Sequence, residues 1–409
     1  MKFRCMEKYQ MNLIKSFPRK VVRSLRCYWD RGQLAVYRQL SRFFPITESS
    51  IVFINFNGKG YGDNPKYIAN EIIRKNLSYR MIWLIKGNID NRTFPKEIKT
   101  ARINSIKGVW ALATSKIIVN NVKNPLPFIK KQKQYYIQTW HGPFGLKYIE
   151  NDAREHLNPY YIKNSFKDSK MTDLFISSSN LQTEEFRSAF WYDGEIMECG
   201  MPRNDFYFHI TKSDVAEIKH AVGVEEGKKI LLYCPTFRDD MSTDAYNVGW
   251  EAVLEALNGR GEGEWVILIR LHPNVLHAEK LFHFTNKVIN VSTYSDMQQL
   301  TAISDLQITD YSSTLYDSII LKTPIILYAP DIEYYQKLRG LKPFYFELPF
   351  KLTRTNEQLI EAIKNFDYKD FTKELESFSR MYQYYDNGHA SECVVEKICN
   401  VMEDVSGSK

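Results

Sequence analysis

Gln138-Thr139-Trp140-His141-Gly142-Pro143 follows the apolar run Tyr135-Tyr136-Ile137, which reads as a short buried strand. A His and a Gly at the end of such a strand stand where open α/β sheets place their ligand chemistry, outside the carboxyl ends of the strands. The chain repeats the arrangement. Val266-Ile267-Leu268-Ile269-Arg270-Leu271 is a second buried-strand run and delivers His272-Pro273. Asp305-Leu306-Gln307-Ile308-Thr309 is a third, ending in Asp310-Tyr311-Ser312-Ser313 before a helix-like stretch.

Outward from these runs, strands alternate with helical stretches. Ile51–Phe56, Met81–Ile85, Lys116–Asn120 and Leu174–Ser179 read as strands on the amino-terminal side. Lys229–Cys234, Lys287–Val291 and Thr323–Tyr328 read as strands on the other. Such alternation predicts α/β domains with parallel sheets. A length of 409 residues accommodates two of them. The expected division is an arm over residues 1–47, a first domain over 48–205, a second over 206–375, and a carboxyl-terminal helix over 376–409 returning to the first. The glycine-rich turn at Gly58, Gly60 and Gly62 lacks Gly-x-Gly-x-x-Gly spacing and any Gly-Lys-Ser/Thr ending. A loop at the mouth of a cleft, with Asn and Tyr groups reaching a ligand, is expected there.

The net charge of +7 is concentrated. Between Met1 and Pro45 stand eleven Lys and Arg against Glu7 and Asp30, so the rest of the chain is close to neutral. That distribution argues against a protein built throughout to grip nucleic acid. Apolar and aromatic residues interleave the cations at spacings of three and four, with Pro18 as a break. A basic amphipathic arm of this kind either lies in a membrane interface beside anionic lipids or packs on the first domain with a solvated basic face. The six Cys are scattered with no Cys-x-x-Cys pair, as expected of reduced thiols in a cytosolic protein. No apolar run approaches the ~18–20 residues needed to span a bilayer.

His141 and His272 occupy equivalent strand ends, one in each half, and an imidazole suits general-base work near neutral pH. Gly142 admits a substrate close to the backbone. Ser312 and Ser313 stand where a helix begins, so capping and ligand binding are both open. Arg238 follows another strand end and would offer a bidentate cation to phosphoryl oxygens, or pair with Asp239 or Asp240. The three strand ends are thus expected to face a shared cleft and to handle a phosphate diester. Asp239-Asp240 and Glu150-Asn151-Asp152 lack His or Cys at ligand spacing, and no metal site is expected. The Gly-x-Ser-x-Gly elbow of Ser-His-Asp hydrolases is absent.

Trp140-His141-Gly142, Pro235-Thr236-Phe237-Arg238-Asp239, Arg270-Leu271-His272-Pro273, Thr309-Asp310-Tyr311-Ser312-Ser313 and Asp386-Asn387-Gly388-His389-Ala390-Ser391 occur in this order. The ordered set, over roughly residues 50–400, resembles the CDP-glycerol glycerophosphotransferase family of teichoic acid primases and polymerases and related capsule enzymes. One departure is Pro143-Phe144-Gly145 where the family often has Thr-Pro after His-Gly, which bears on acceptor or polyol specificity. The resemblance implies a GT-B-like architecture, two Rossmann-like domains with the active site between them. It implies a peripheral enzyme on the cytoplasmic face of the membrane. The donor would be CDP-glycerol or CDP-ribitol, with no further cofactor, and the acceptor a hydroxyl of a lipid-linked glycan or polyol-phosphate chain. His141 and His272 are the expected catalytic residues. Gly142, Thr236, Arg238, Arg270, Asp310, Ser312 and Ser313 are the expected substrate-binding set. The alternative is a GT-B nucleotide-sugar glycosyltransferase of cell-surface polysaccharide synthesis.

Overall fold

The computed structural model describes residues 32, 34–123, 130–238, 240–272, 275 and 281–403. Residues 1–31 and 33 of the expected basic arm lie outside the described residues, as do Asp239 and Pro273; residues 34–41 are helical.

Two parallel sheets carry the chain. The first holds β1 (Thr47–Ile54), β2 (Arg80–Ile85), β3 (Ile98–Arg102), β4 (Ser115–Asn120), β5 (Tyr135–Gln138), β6 (Leu174–Ser177) and β7 (Glu195–Glu198). Their order is β3-β2-β1-β4-β5-β6-β7. The second holds β8 (Lys229–Tyr233), β9 (Trp265–Ile269), β10 (Val288–Asn290), β11 (Leu306–Thr309), β12 (Ile325–Tyr328) and β13 (Lys351–Thr353) in the order β10-β9-β8-β11-β12-β13. Every pairing is parallel.

The inner strands read clearly because both of their faces are covered. Ile51 and Phe53 join one core cluster and Val52 and Ile54 another, all at 1% exposure or less. Each such side chain contributes about 1.5–3 kcal/mol on burial. β3, β7 and β13 escaped the sequence reading. All three lie at sheet edges, their side chains are largely open, and none carries an unbroken apolar run.

Among the helices, α1 (Asp63–Arg74) follows the glycine-rich turn, and α2 (Pro159–Met171) and α3 (Asn180–Ser188) flank β6. α4 (Met297–Ala302) precedes β11 and α5 (Leu315–Leu321) follows it. α6 (Ala390–Glu403) lays Val394, Val395 and Ile398 on the first sheet's core.

In both sheets the strand order reverses at one place, between β1 and β4 and between β8 and β11. Loops leaving the carboxyl ends beside such a reversal form the ligand crevice of open α/β sheets. Here the carboxyl-end loops of one sheet meet those of the other. Lys66 of α1 pairs with Asp296 at 2.6 Å, and Glu185 of α3 pairs with Lys342 at 2.6 Å. Lys147 forms a backbone bridge to Leu341.

Candidate active site

β5 ends at Gln138, and Thr139 extends its pairing by donating to the Asn120 carbonyl at 2.9 Å. Trp140 then takes a left-handed backbone, φ 53°, which costs about 1–3 kcal/mol outside glycine and marks functional turns. The bend is held by Trp140 N–H donating to Gln138 Oε1 at 3.1 Å and by the indole lying edge-on to Phe190. It swings His141 toward the β4 loop, where Nδ1 sits 2.8 Å from the Asn121 carbonyl. A carbonyl only accepts, so Nδ1 carries the proton and Nε2 is left as the basic nitrogen. No described residue takes a hydrogen bond from or to Nε2. Burial lowers the His141 pKa, which keeps the imidazole neutral and ready to accept a proton.

Gly142 follows, and the reason for glycine is across the gap. A Cβ at this position would lie 2.9 Å from Ser313 Oγ of the second sheet's β11 loop. The structure therefore brings His141 and Gly142 together with Ser313. Thr314 takes the N-cap position of α5 without a capping side-chain hydrogen bond, its hydroxyl instead donating to Ser312 Oγ at 3.1 Å. Ser312 Oγ accepts from Thr314 N at 3.4 Å, so its hydroxyl turns back on its own loop. The Ser313 hydroxyl has no protein partner among the described residues and faces the first sheet.

Asp310, Thr236 and Arg238 form one buried unit. Asp310 Oδ1 accepts from Tyr311 N at 2.6 Å and from Thr236 N at 2.8 Å, while Oδ2 meets Arg238 Nη1 at 2.8 Å. Arg238 also donates to both oxygens of Asp331, at 2.7 and 3.0 Å, and to the Thr236 carbonyl at 2.6 Å. The fork expected to face phosphate is turned into the protein here, and Asp240 is not among its hydrogen-bond partners, while Asp239 lies outside the described residues. The guanidinium is 1% exposed, and four of its N–H groups are already engaged within the protein. Burial alone would lower its pKa, but Asp310 and Asp331 outweigh that and raise it. Asp310 is likewise spent on holding the two loops together. Thr236 differs: its Oγ1 is buried with no hydrogen-bond partner among the described residues.

Arg270 is half-buried and donates to the Tyr294 carbonyl at 2.7 Å, which anchors it to the β10 loop. His272 is open to solvent and lies against Phe237 of the Thr236 loop, ring centroids 5.4 Å apart. Its pKa is lowered first by the protein around it and then by Lys59 and Lys147. Those two lysines belong to the first sheet's loops, so His272 looks across the gap at cations of the opposite half. Lys59 is presented by the glycine-rich turn. Gly58, φ 97°, packs so closely on Lys86 that a Cβ would meet its backbone nitrogen at 2.8 Å.

Sequence reasoning missed Asp63, Asn121 and Arg203. Asn121 Nδ2 donates to Asn55 Oδ1 at 2.8 Å and to Asp63 Oδ1 at 3.1 Å, and Asn121 supplies the carbonyl that orients His141. Its signal was present in the sequence, a polar pair ending the apolar β4 run. The Asp386–Ser391 segment is an anchor and not part of the cleft. Asp386 accepts from Met201 N at 2.8 Å, and Asp205 accepts from the Ala390 and Ser391 amides at 2.9 and 2.7 Å.

The sequence profile of the family described as CDP-Glycerol:Poly(glycerophosphate) glycerophosphotransferase matches residues 36–400. The chain belongs to this family. It is 33% identical over 395 residues to a teichoic acid poly(glycerol phosphate) polymerase of Bacillus spizizenii, covering 93% of this chain and 99% of that one. It is 35% identical to a polymerase of the same description from Staphylococcus epidermidis, covering 86% of this chain but only about half, 51%, of the relative. Among solved structures, that of the wall teichoic acid polymerase TagF soaked with CDPG superposes with a TM-score of 0.82. It is 31% identical, and the match covers 94% of this chain and 98% of that one. The fold expected from the sequence, α/β and GT-B-like with two Rossmann-like parallel sheets, is the fold of this glycerophosphotransferase-family chain.

Proposed function

We propose that the chain is a polyol-phosphate transferase. It moves glycerol phosphate, or ribitol phosphate, from a CDP-activated donor to a hydroxyl of a membrane-linked glycan or teichoic-acid-like polymer and releases CMP. The observation that carries this reading is the pairing of a tautomerically fixed His141 with the Ser313 turn across Gly142. His141 Nε2 takes the proton of the acceptor hydroxyl as its oxygen attacks the polyol-side phosphorus. A new P–O bond forms, the bond to the bridging oxygen breaks, and CMP departs with that electron pair. Ser313 and His272 hold the diphosphate, with the Thr236 loop behind them and Lys59 and Lys147 adding positive potential from the opposite side. Positioning and charge stabilisation of this kind account for most of phosphoryl-transfer catalysis. Arg238 and Asp310 act behind the site, fixing the shape of the Thr236 and Ser312 loops.

Peripheral attachment to an anionic membrane is proposed as well. It is supported by α2, whose Tyr160, Tyr161 and Phe166 are exposed beside exposed Lys163, Lys167 and Lys170. No described helix is long and apolar enough to cross a membrane.

The deciding experiment incubates the purified chain with a synthetic lipid acceptor and CDP-glycerol, CDP-ribitol, or UDP- and GDP-sugars in turn. Mass spectrometry then reads the product and the released nucleotide. CMP release with a mass gain of one polyol phosphate supports the reading. Release of UDP or GDP with hexose transfer would replace it with the glycosyltransferase alternative.

A further inference from the structure

β7 leads out of the first sheet through Gly200 and Met201 to Arg203, whose side chain turns back between the two halves and is 8% exposed. Its Nη1 donates to Asp63 Oδ2 at 2.9 Å and to the backbone carbonyl of His141 at 2.9 Å. Its Nη2 reaches both oxygens of Asp317, at 3.3 and 3.4 Å. Asp317 stands on α5, directly behind the Ser312-Ser313 turn.

We infer that Arg203 is a positioning residue for the reaction proposed above. One guanidinium holds the base loop of the first sheet and the phosphate turn of the second in a single register. The inference rests on that reading of the site and adds a part to it.

The contacts close a ring. Arg203 holds Asp63; Asp63 Oδ1 accepts from Asn121 Nδ2; the Asn121 carbonyl accepts from His141 Nδ1; and the His141 carbonyl returns to Arg203. Both the tautomer and the angle of the imidazole are therefore set by groups that Arg203 orients. A second tie runs alongside. The Arg203 amide donates to Asn64 Oδ1 at 3.0 Å, and Asn64 Nδ2 donates to the Trp140 carbonyl at 3.0 Å. Asp63 and Trp140, at opposite ends of this arrangement, both have left-handed backbones, φ 54° and 53°. Strained residues of this kind persist only where their surroundings over-determine them. The planar fork is what the geometry requires, because a lysine is a single point charge and cannot serve the carbonyl and both carboxylates together. Arg203 touches the base's own backbone and the helix behind the phosphate turn. Its loss would thus be felt as a misplaced base, and errors near 1 Å cost about 10²-fold in rate.

Arg203→Ala would strand Asp63 and Asp317 as buried charges, so the informative variants are Arg203→Lys and the neutral isostere Asp317→Asn. Three quantities are measured on the full chain: CMP release from CDP-glycerol with acceptor, CDP-glycerol affinity by calorimetry, and the His141 tautomer by 15N imidazole NMR. The expected result is a kcat fall of about 10–100-fold in each variant, with donor Kd within about threefold of the parent. Placed in a His141→Ala background, Arg203→Lys should cause no further loss. The His141 ring in both variants should pass from the Nδ1–H tautomer to a mixture. An equal fall with and without His141 would overturn the proposal, as would an unchanged tautomer. If Arg203→Lys does not fold, the same readings on Asp317→Asn decide. If the unmodified chain releases no CMP, the transferase reading fails by itself, and the NMR signature alone still accepts or rejects the role of Arg203.

Discussion

Gly142 and Ser313 close on one another from opposite sheets so tightly that a single methyl on Gly142 would come within 2.9 Å of the Ser313 hydroxyl. That hydroxyl can rotate away, so Gly142→Ala is expected to fold with its melting temperature almost unchanged. The rotation removes Ser313 from the place where the donor diphosphate would be held. Transfer should fall by one to two orders of magnitude, of the size seen when one transition-state hydrogen-bond donor is lost, about 10²-fold. Steady-state CMP release beside a thermal melt separates the two effects. A large drop in melting temperature, or full activity, would show that the close approach has no functional meaning.

His141 sets the pH response. Its pKa is lowered from about 6.5 because burial disfavours the imidazolium. The working form is the neutral one, so kcat/KM should rise with pH along a limb centred below about 6.5 and stay flat through neutrality. Stability follows the same sign. The unfolded state binds the proton more readily, so the chain loses this contribution as pH falls through the unfolded His range. His141→Gln is expected to lower transfer by about 10²–10⁴-fold. A limb centred above neutrality in the parent would contradict a buried neutral base.

How much of this could be read beforehand depended on the distance over which each residue acts. The strand-end histidines, Gly142 and the Ser312-Ser313 turn were legible because a buried strand writes its end into the local sequence. β3, β7 and β13 were not, since edge strands need no continuous apolar run. The motif around Arg238 was visible but its use was not. Nothing local announces that Asp310 and Asp331, far along the chain, enclose the guanidinium. Arg203 and Asp63 were missed for the same reason, their partners being 114 and 140 positions distant in sequence.

Arg238 as an internal strut makes a prediction that a phosphate clamp would not. Arg238→Gln leaves Asp310 and Asp331 without their cation. Breaking a buried pair from one side costs about 3–5 kcal/mol. For a domain of this size that is a fall in melting temperature of about 10 °C. Donor affinity should decline together with stability. An unchanged melt with a selective loss of CDP-glycerol binding would restore the clamp.

Asp386 gives a pH-dependent stability of opposite sign to His141. Burial raises its pKa to about 7, and the like charges of Asp317 and Asp205 act in the same direction, against hydrogen bonds from Met201 and Asn204. The folded state therefore binds the proton more tightly than the unfolded chain, whose Asp titrates near about 3.9. The stabilising contribution is complete below that lower value and is lost as pH rises toward the folded one. Oδ1 carries the contacts to Met201 and Asn204, and Oδ2 has no partner among the described residues. Asp386→Asn keeps an acceptor at the first position and removes the charge at the second. The variant should match the parent below about pH 4 and be the more stable of the two at pH 8, with urea midpoints diverging between about pH 4 and the folded pKa of about 7. A gap that stays constant over that interval, or reverses, would mean that Asp386 is ionised throughout and that its buried oxygen is solvated in solution.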